Sequence, residues 1–112
     1  MTEQTLIEQL NAGSADFAEV IAHIDAHYDF QPTAFRNGDT YNDAGSNNGS
    51  CKIFAFAQLN GLSEQATLHA FGDYYRVDVL QHPAGNDHAN IRNFMRSGWT
   101  GIHFEGSALQ RK

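Results

Sequence analysis

Residues 47 to 60 read NNGSCKIFAFAQLN, and this stretch decides the fold. Ser50 stands where a helix N-cap is wanted, ahead of a helix from about Cys51 to Asn60 that Gly61 ends. Ile53, Phe54, Phe56, Ala57 and Leu59 leave that helix few polar positions. A helix that is apolar almost all round must be enclosed by other elements, so it is expected at the centre of the domain. The run ahead of it, Asp43 to Gly49, is polar and rich in small residues. Such a composition suits a backbone that turns sharply or closely approaches something else.

The flanking segments supply the enclosure. Phe17, Val20, Ile21, Ile24 and Tyr28 recur at helical spacing, with Ser14 as the expected cap, Asp16 in the first turn and Pro32 as the stop. Leu6, Ile7 and Leu10 mark a short amphipathic segment that Gly13 closes. Asn37-Gly38 is a turn dipeptide between Phe35 and Tyr41. Ser63 and Glu64 open a helix carrying Ala66, Leu68, Phe71 and Tyr75, with Gly72 weakening its middle. Asp87 is the expected cap of a last helix whose stripe is Ile91, Phe94 and Met95. Beyond Gly98, Trp99 to Glu105 alternates as a strand, with Ile102 and Phe104 on one face and His103 and Glu105 on the other. That strand is expected to pair near Phe35, since an isolated hairpin is only marginally stable. The expectation is one α+β domain over residues 1–112, predominantly helical, with five or six helices and a small antiparallel sheet of two or three short strands. Residues 1–13 and 107–112 read as peripheral or frayed.

Composition narrows the class. A chain of 112 residues buries roughly 60% of its unfolded surface, enough for a core without metal or disulfides. Its single cysteine forbids an internal disulfide and suits a reducing cytoplasm, or an exit route that bypasses the oxidising compartment. Thirteen acidic residues against seven basic ones give a net charge of −6, and Arg36, Arg76, Arg92 and Arg96 form no run, which argues against nucleic acid. Apolar runs such as Ile53 to Ala57 fall far short of the ~20 residues a membrane span needs. The start, Met1-Thr2-Glu3-Gln4, does not read as a secretory leader. A monomer without a cofactor is expected.

Four segments are distinctive: Tyr28 to Phe35 (YDFQPTAF), Asn47 to Phe56 (NNGSCKIFAF), Phe71 to Arg76 (FGDYYR) and Asp87 to Met95 (DHANIRNFM). In this order they resemble the HopJ family, over about Phe17 to Gly106. The family takes its name from a type III secreted effector of plant-pathogenic bacteria. The resemblance implies a bacterial, effector-like protein of the cytoplasm, exported by a type III system if it acts as an effector, and it carries no reaction and no residue role. Thr2, Thr5 and Ser14 are few hydroxyl residues for a type III export signal.

Three constellations bear on chemistry. Cys51 at a helix N-terminus would feel unpaired N–H groups and the positive dipole end, which favour the thiolate. Gly-Ser-Cys before an aromatic-rich helix loosely resembles the nucleophile region of papain-like and transglutaminase-like enzymes, although Lys52 stands where those carry an aromatic. Such an acyl or amide transferase needs a histidine, His103 or His88, and a carboxylate such as Asp39, Asp43 or Asp87 to orient it. Free cysteines are more often buried and inert. His82, Asp87 and His88 offer metal-ligand types without a metal-motif spacing, and His23 and His27 share a helix face. The asparagines Asn37, Asn42, Asn47, Asn48, Asn86, Asn90 and Asn93 read chiefly as loop builders. The favoured reading is a binding protein that meets a host or bacterial protein partner through Asn47, Asn48, Gly49, Ser50, Tyr74 and Arg76. A thiol enzyme is the alternative, and a metal-dependent hydrolase at His82, Asp87 and His88 a further one.

Overall fold

A computed structural model describes residues 2–112. Helix α1 (Glu3–Ala12) starts from Thr2, whose Oγ1 accepts a hydrogen bond from Thr5 N, and ends at Gly13 in the left-handed region. Helix α2 (Phe17–His27) follows from Asp16, not Ser14, and stops before Pro32 because the next residues enter strand β1 (Tyr28–Phe30). Strands β2 (Phe35–Asn37) and β3 (Thr40–Asn42) form a hairpin around Gly38 and Asp39. Helix α3 (Asn48–Leu59) is the central element, and helix α4 (Glu64–His69) starts at Ser63, whose Oγ accepts from Ala66 N. Gly72, at φ 60°, breaks the following segment, and a π-helix (Tyr74–Val79) resumes it. Helix α5 (Ala89–Ser97), a 3-10 turn (Gly98–Gly101), β4 (Ile102–Phe104) and β5 (Leu109–Arg111) complete the chain.

All strand pairs are antiparallel. A three-stranded sheet has the order β3-β2-β4, and a separate two-stranded sheet pairs β1 with β5. The expected pairing near Phe35 is present, with Phe35 opposite Phe104. Helix α5 packs on β2 and β3, while α3 lies between α2, α4 and β5.

Helix α3 is enclosed because its side chains allow nothing else. Ile53, Phe54 and Phe56 are fully buried, and Leu59, at the helix end, is exposed. The Phe54 ring meets those of Phe35, Phe71, Phe94 and Trp99 at centroid separations of 5.0 to 6.4 Å. One side chain of α3 thereby joins the sheet, α5 and the turns after α4 and α5. Such edge and tilted ring pairs each add roughly 0.5–1.5 kcal/mol beyond burial.

The termini are held rather than frayed. Leu6, Leu10, Ala108 and Leu109 are buried. Glu3 receives two guanidinium bonds from Arg111 (2.8 and 3.2 Å), a bond from the Tyr28 hydroxyl (3.1 Å) and a contact with His23 Nε2 (3.1 Å). Arg111 also donates to Asn60 Oδ1, so the clasp reaches the residue that follows α3. Strand β5 looks dispensable in sequence because the side-chain partners of Arg111, Asn60 and Glu3, lie 51 and 108 residues away along the chain.

These bonds, led by those from Arg111, hold the Glu3 carboxyl down at about 2, against 4.5 ordinarily. A carboxylate depressed in the folded state stabilises the fold fully above its unfolded pKa, and that contribution is lost as pH falls towards the folded value. Urea midpoints measured across the acid range should therefore drop between about pH 4.5 and 2, and Glu3→Gln should lower stability at neutral pH while flattening that drop. An unchanged acid slope in Glu3→Gln would remove the clasp from the account.

Candidate functional site: a cleft at two helix starts

The only non-glycine residues with positive φ among the described residues are Asn47 (53°) and His88 (50°). Each is the residue from which a helix starts, Asn47 for α3 and His88 for α5, and neither helix has a side-chain cap. The first helical bonds are Cys51 N to Asn47 O and Arg92 N to His88 O. The N–H groups of the preceding residues are left for other partners. The expected caps, Ser50 and Asp87, are displaced. Ser50 already lies in the first turn of α3, and Asp87 is held by Arg92.

Both helix starts line one cavity of about 460 Å³. Gly49 and Ser50 form one side and Ala89, Asn90 and Ile91 the other. Phe17, Phe71 and Tyr74 provide apolar walls, and Asn47, Thr40 and His88 provide polar ones. The walls are close-fitting. A Cβ at residue 49 would lie 3.2 Å from Phe17 Cζ, and one at Gly72 would lie 2.7 Å from Phe17 N. Glycines at these two places let the Phe17 ring and backbone sit against α3 and the turn after α4. The Phe17 and Tyr74 rings meet edge to face at 5.0 Å, and Tyr74 faces the His88 ring at 5.2 Å.

A set of buried amides fixes the two helix starts relative to each other. Asn42 Nδ2 donates to Asn90 Oδ1 (3.1 Å) and Asn90 Nδ2 donates back to Asn42 Oδ1 (3.0 Å). Asn47 Nδ2 joins the same Asn42 oxygen at 2.7 Å. Asn37 Nδ2 donates to the carbonyl and the side-chain oxygen of Asn90, and Asn93 Nδ2 donates to Asn37 O and Thr40 Oγ1. Asn37, Asn42, Asn90 and Asn93 are thus the clamp between the hairpin and α5. The expected role of loop builders does not hold for these four, which lie in β2, β3 and α5 and bond across the chain rather than within a turn.

The sequence-derived candidates divide. Asn47, Gly49, Ser50, Tyr74 and His88 meet in the cleft. Asn48 is the exposed first residue of α3 and does not line it. Arg76 is a strut that donates to Gly13 O (3.2 Å) and Ala15 O (2.8 Å). Asp87 accepts from Arg92 (2.7 Å), a bond that holds its carboxyl below the usual range. His103 is exposed on β4, opposite Arg36. His88 Nε2 meets Asp78 Oδ2 at 3.0 Å, so its close carboxylate is Asp78, with Asp87 more distant at 3.9 Å. His23 and His27 place their rings 4.5 Å apart, but His23 is engaged with Glu3. Among the described residues no group of three or more His, Cys, Asp or Glu is arranged to hold a metal ion.

Cys51 does not meet the demands of a thiolate nucleophile. It is 1% exposed, its N–H is already bonded within α3, and its thiol donates to Thr33 O at 3.5 Å. Among the described residues its only side-chain bond is to that backbone carbonyl, and neither His88 nor His103 is bonded to it. Burial pushes the thiol pKa up, only partly offset by the Thr33 bond. The helix starts at Asn48, so Cys51 follows the first turn and lies beneath the surface that its neighbours Gly49 and Ser50 form.

Sequence reasoning missed Phe17, Thr40, Phe71 and Ile91 as cleft residues. Phe17, Phe71 and Ile91 sit on helical stripes that read as core, and no local pattern separates a core wall from a cleft wall.

The fold and cleft define a small, mainly helical α+β module with one aromatic-and-amide recess. The chain belongs to the HopJ type III effector protein family, whose model matches residues 3–109. A crystal structure described as the unknown function protein VPA0580 is similar over 100% of this chain and 95% of that one, at 54% identity and a TM-score of 0.96. No curated protein matches the chain. No helix is long and apolar enough to cross a membrane among the described residues.

Alkylation reads the state of Cys51 directly. Iodoacetamide at neutral pH should modify the native protein about tenfold or more slowly than the urea-unfolded chain, because a buried thiol with a raised pKa offers little thiolate. Native alkylation faster than that of the unfolded chain would restore the thiol-enzyme reading.

Proposed function

We propose that the chain is a non-catalytic binding protein that docks a partner polypeptide through the cleft between the starts of α3 and α5. The observation that carries this reading is the convergence of Asn47, Gly49, Ser50, Tyr74 and His88 on one cavity. Residues far apart in sequence, two of them in a backbone conformation that side chains disfavour, are held there by buried amides. Conformational strain kept in place by its surroundings is a mark of functional surfaces. The π-helix that carries Tyr74 is a second such mark, since π-helical turns gather at functional sites.

The chemistry of the recess suits recognition better than catalysis. Exposed backbone N–H groups, amides and hydroxyls bind carbonyl-rich chain, and aromatic walls take an apolar or planar side chain. His88 is paired with Asp78, and no hydroxyl or thiol among the described residues is bonded to it as a nucleophile would be. Family membership supports an effector role, with the protein made in the bacterial cytoplasm and delivered by a type III system to meet its partner.

Crystals soaked in a library of small amide-bearing and aromatic fragments test this. Bound fragments should gather in the recess between Gly49, Tyr74 and His88. A recess that stays empty while fragments gather elsewhere would contradict the reading.

A further inference from the structure

The cleft does not end at Tyr74. The Phe17 and Tyr74 rings that form one wall of the main cavity also line a second hollow of about 310 Å³, completed by Ala18 and the carboxylates of Asp16, Asp73 and Asp78. No lysine or arginine lines either hollow. Arg76 comes within 3.7 Å of Asp73, but its guanidinium is committed to the carbonyls of Gly13 and Ala15. Asp78 uses one oxygen on His88, Asp16 makes no capping bond to α2, and the Asp73 side chain is 83% exposed. The result is a pair of aromatic rings beside carboxylates with acceptor capacity to spare.

From this we infer that the second hollow seats the guanidinium of an arginine side chain presented by the partner polypeptide. The inference rests on the reading of the cleft as a docking surface. Aromatic faces attract cations, and the planar guanidinium stacks on a ring while its N–H groups reach carboxylates on either side. Lysine's point charge has no plane to stack. The net charge of −6 steers a basic partner towards the protein. A polypeptide is favoured over a free cation because the charged hollow shares its Phe17 and Tyr74 wall with the larger cavity, which no aspartate, glutamate, lysine or arginine lines. There, the uncapped N–H groups of Gly49 and Ser50 can meet the carbonyl groups flanking the arginine. A lone cation would leave that cavity unused.

The test is an NMR titration of the ¹⁵N-labelled full chain with three probes: the capped peptide Gly-Gly-Arg-Gly-Gly, the same peptide with citrulline in place of arginine, and agmatine as a free guanidinium. Citrulline keeps the shape of arginine and removes its charge. The arginine peptide should shift the amides of residues 16–18, 73–78 and 49–50 saturably. It should bind about tenfold more tightly than either of the other probes, in line with a cation between rings and carboxylates. Asp73→Asn, at an exposed position, should weaken the arginine peptide about threefold or more and leave the citrulline peptide unchanged. Equal binding of the arginine and citrulline peptides in the cleft would overturn the arginine inference while leaving the docking surface standing. Agmatine binding as tightly as the peptide would make this a small-cation site and overturn the inference too. If no probe shifts either hollow, both the inference and the docking reading fail.

Discussion

The structure turns on two asparagines that exchange hydrogen bonds. Asn42, at the end of β3, and Asn90, in the first turn of α5, each donate to the other's side-chain oxygen, and both are more than nine-tenths buried. A buried amide left without partners costs about 1–3 kcal/mol, so neither residue tolerates separation from the other. Asn47 adds its own bond to the Asn42 oxygen, which ties the start of α3 to the same point. The distance between the two helix starts, and so the width of the recess, follows from this cluster. Asn37 Oδ1 is the one buried side-chain oxygen among the described residues without a partner, so the cluster gives up one hydrogen bond to keep its geometry.

Around that point, aromatic packing gives rigidity and glycine gives approach. Phe54 fixes α3 against the sheet and α5 through four neighbouring rings, so the recess is cut into a closely packed body. Phe17 then reaches α3 and the turn after α4 only because residues 49 and 72 lack a Cβ. The break at Gly72 also shifts the following turn into the π-helix that presents Tyr74, which is 45% exposed although its neighbour Tyr75 is buried. One residue of the pair serves the surface and the other the core. Both hollows share the Phe17–Tyr74 wall, so a ligand in either touches the same two rings.

Much of the fold was legible because its signals are local. The apolar periodicity of residues 17–28, the nearly all-apolar α3, the turn around Gly38 and the alternation at 102–104 each report on their own segment. What was not legible depends on contacts across the chain. The reciprocal pairing of Asn42 and Asn90 spans 48 residues, and nothing near either asparagine names the other. Strand β5 is held by Arg111, which donates to Glu3 and lies over the Tyr28 ring, and because those partners are distant along the chain the tail reads as frayed. Cys51 misled for a local reason. The helix begins at Asn48 rather than after Ser50, because Asn47 adopts the left-handed region and is held there by Asn42. Those three residues carry the cysteine past the first turn and into the core. Gly49 and Ser50, expected on a binding surface as well as beside a thiol, line the recess above that buried cysteine.

The measurement closest to the central claim is a double-mutant cycle on the amide pair. Unfolding free energies of the wild type, Asn42→Ala, Asn90→Ala and the double variant, from urea titration, isolate the coupling between the two side chains. Mutual dependence predicts that the double variant loses less stability than the sum of the single ones, with a coupling of about 1 kcal/mol or more. Losses that add to within about 0.5 kcal/mol would mean that the asparagines act independently and that something else sets the separation of the two helix starts.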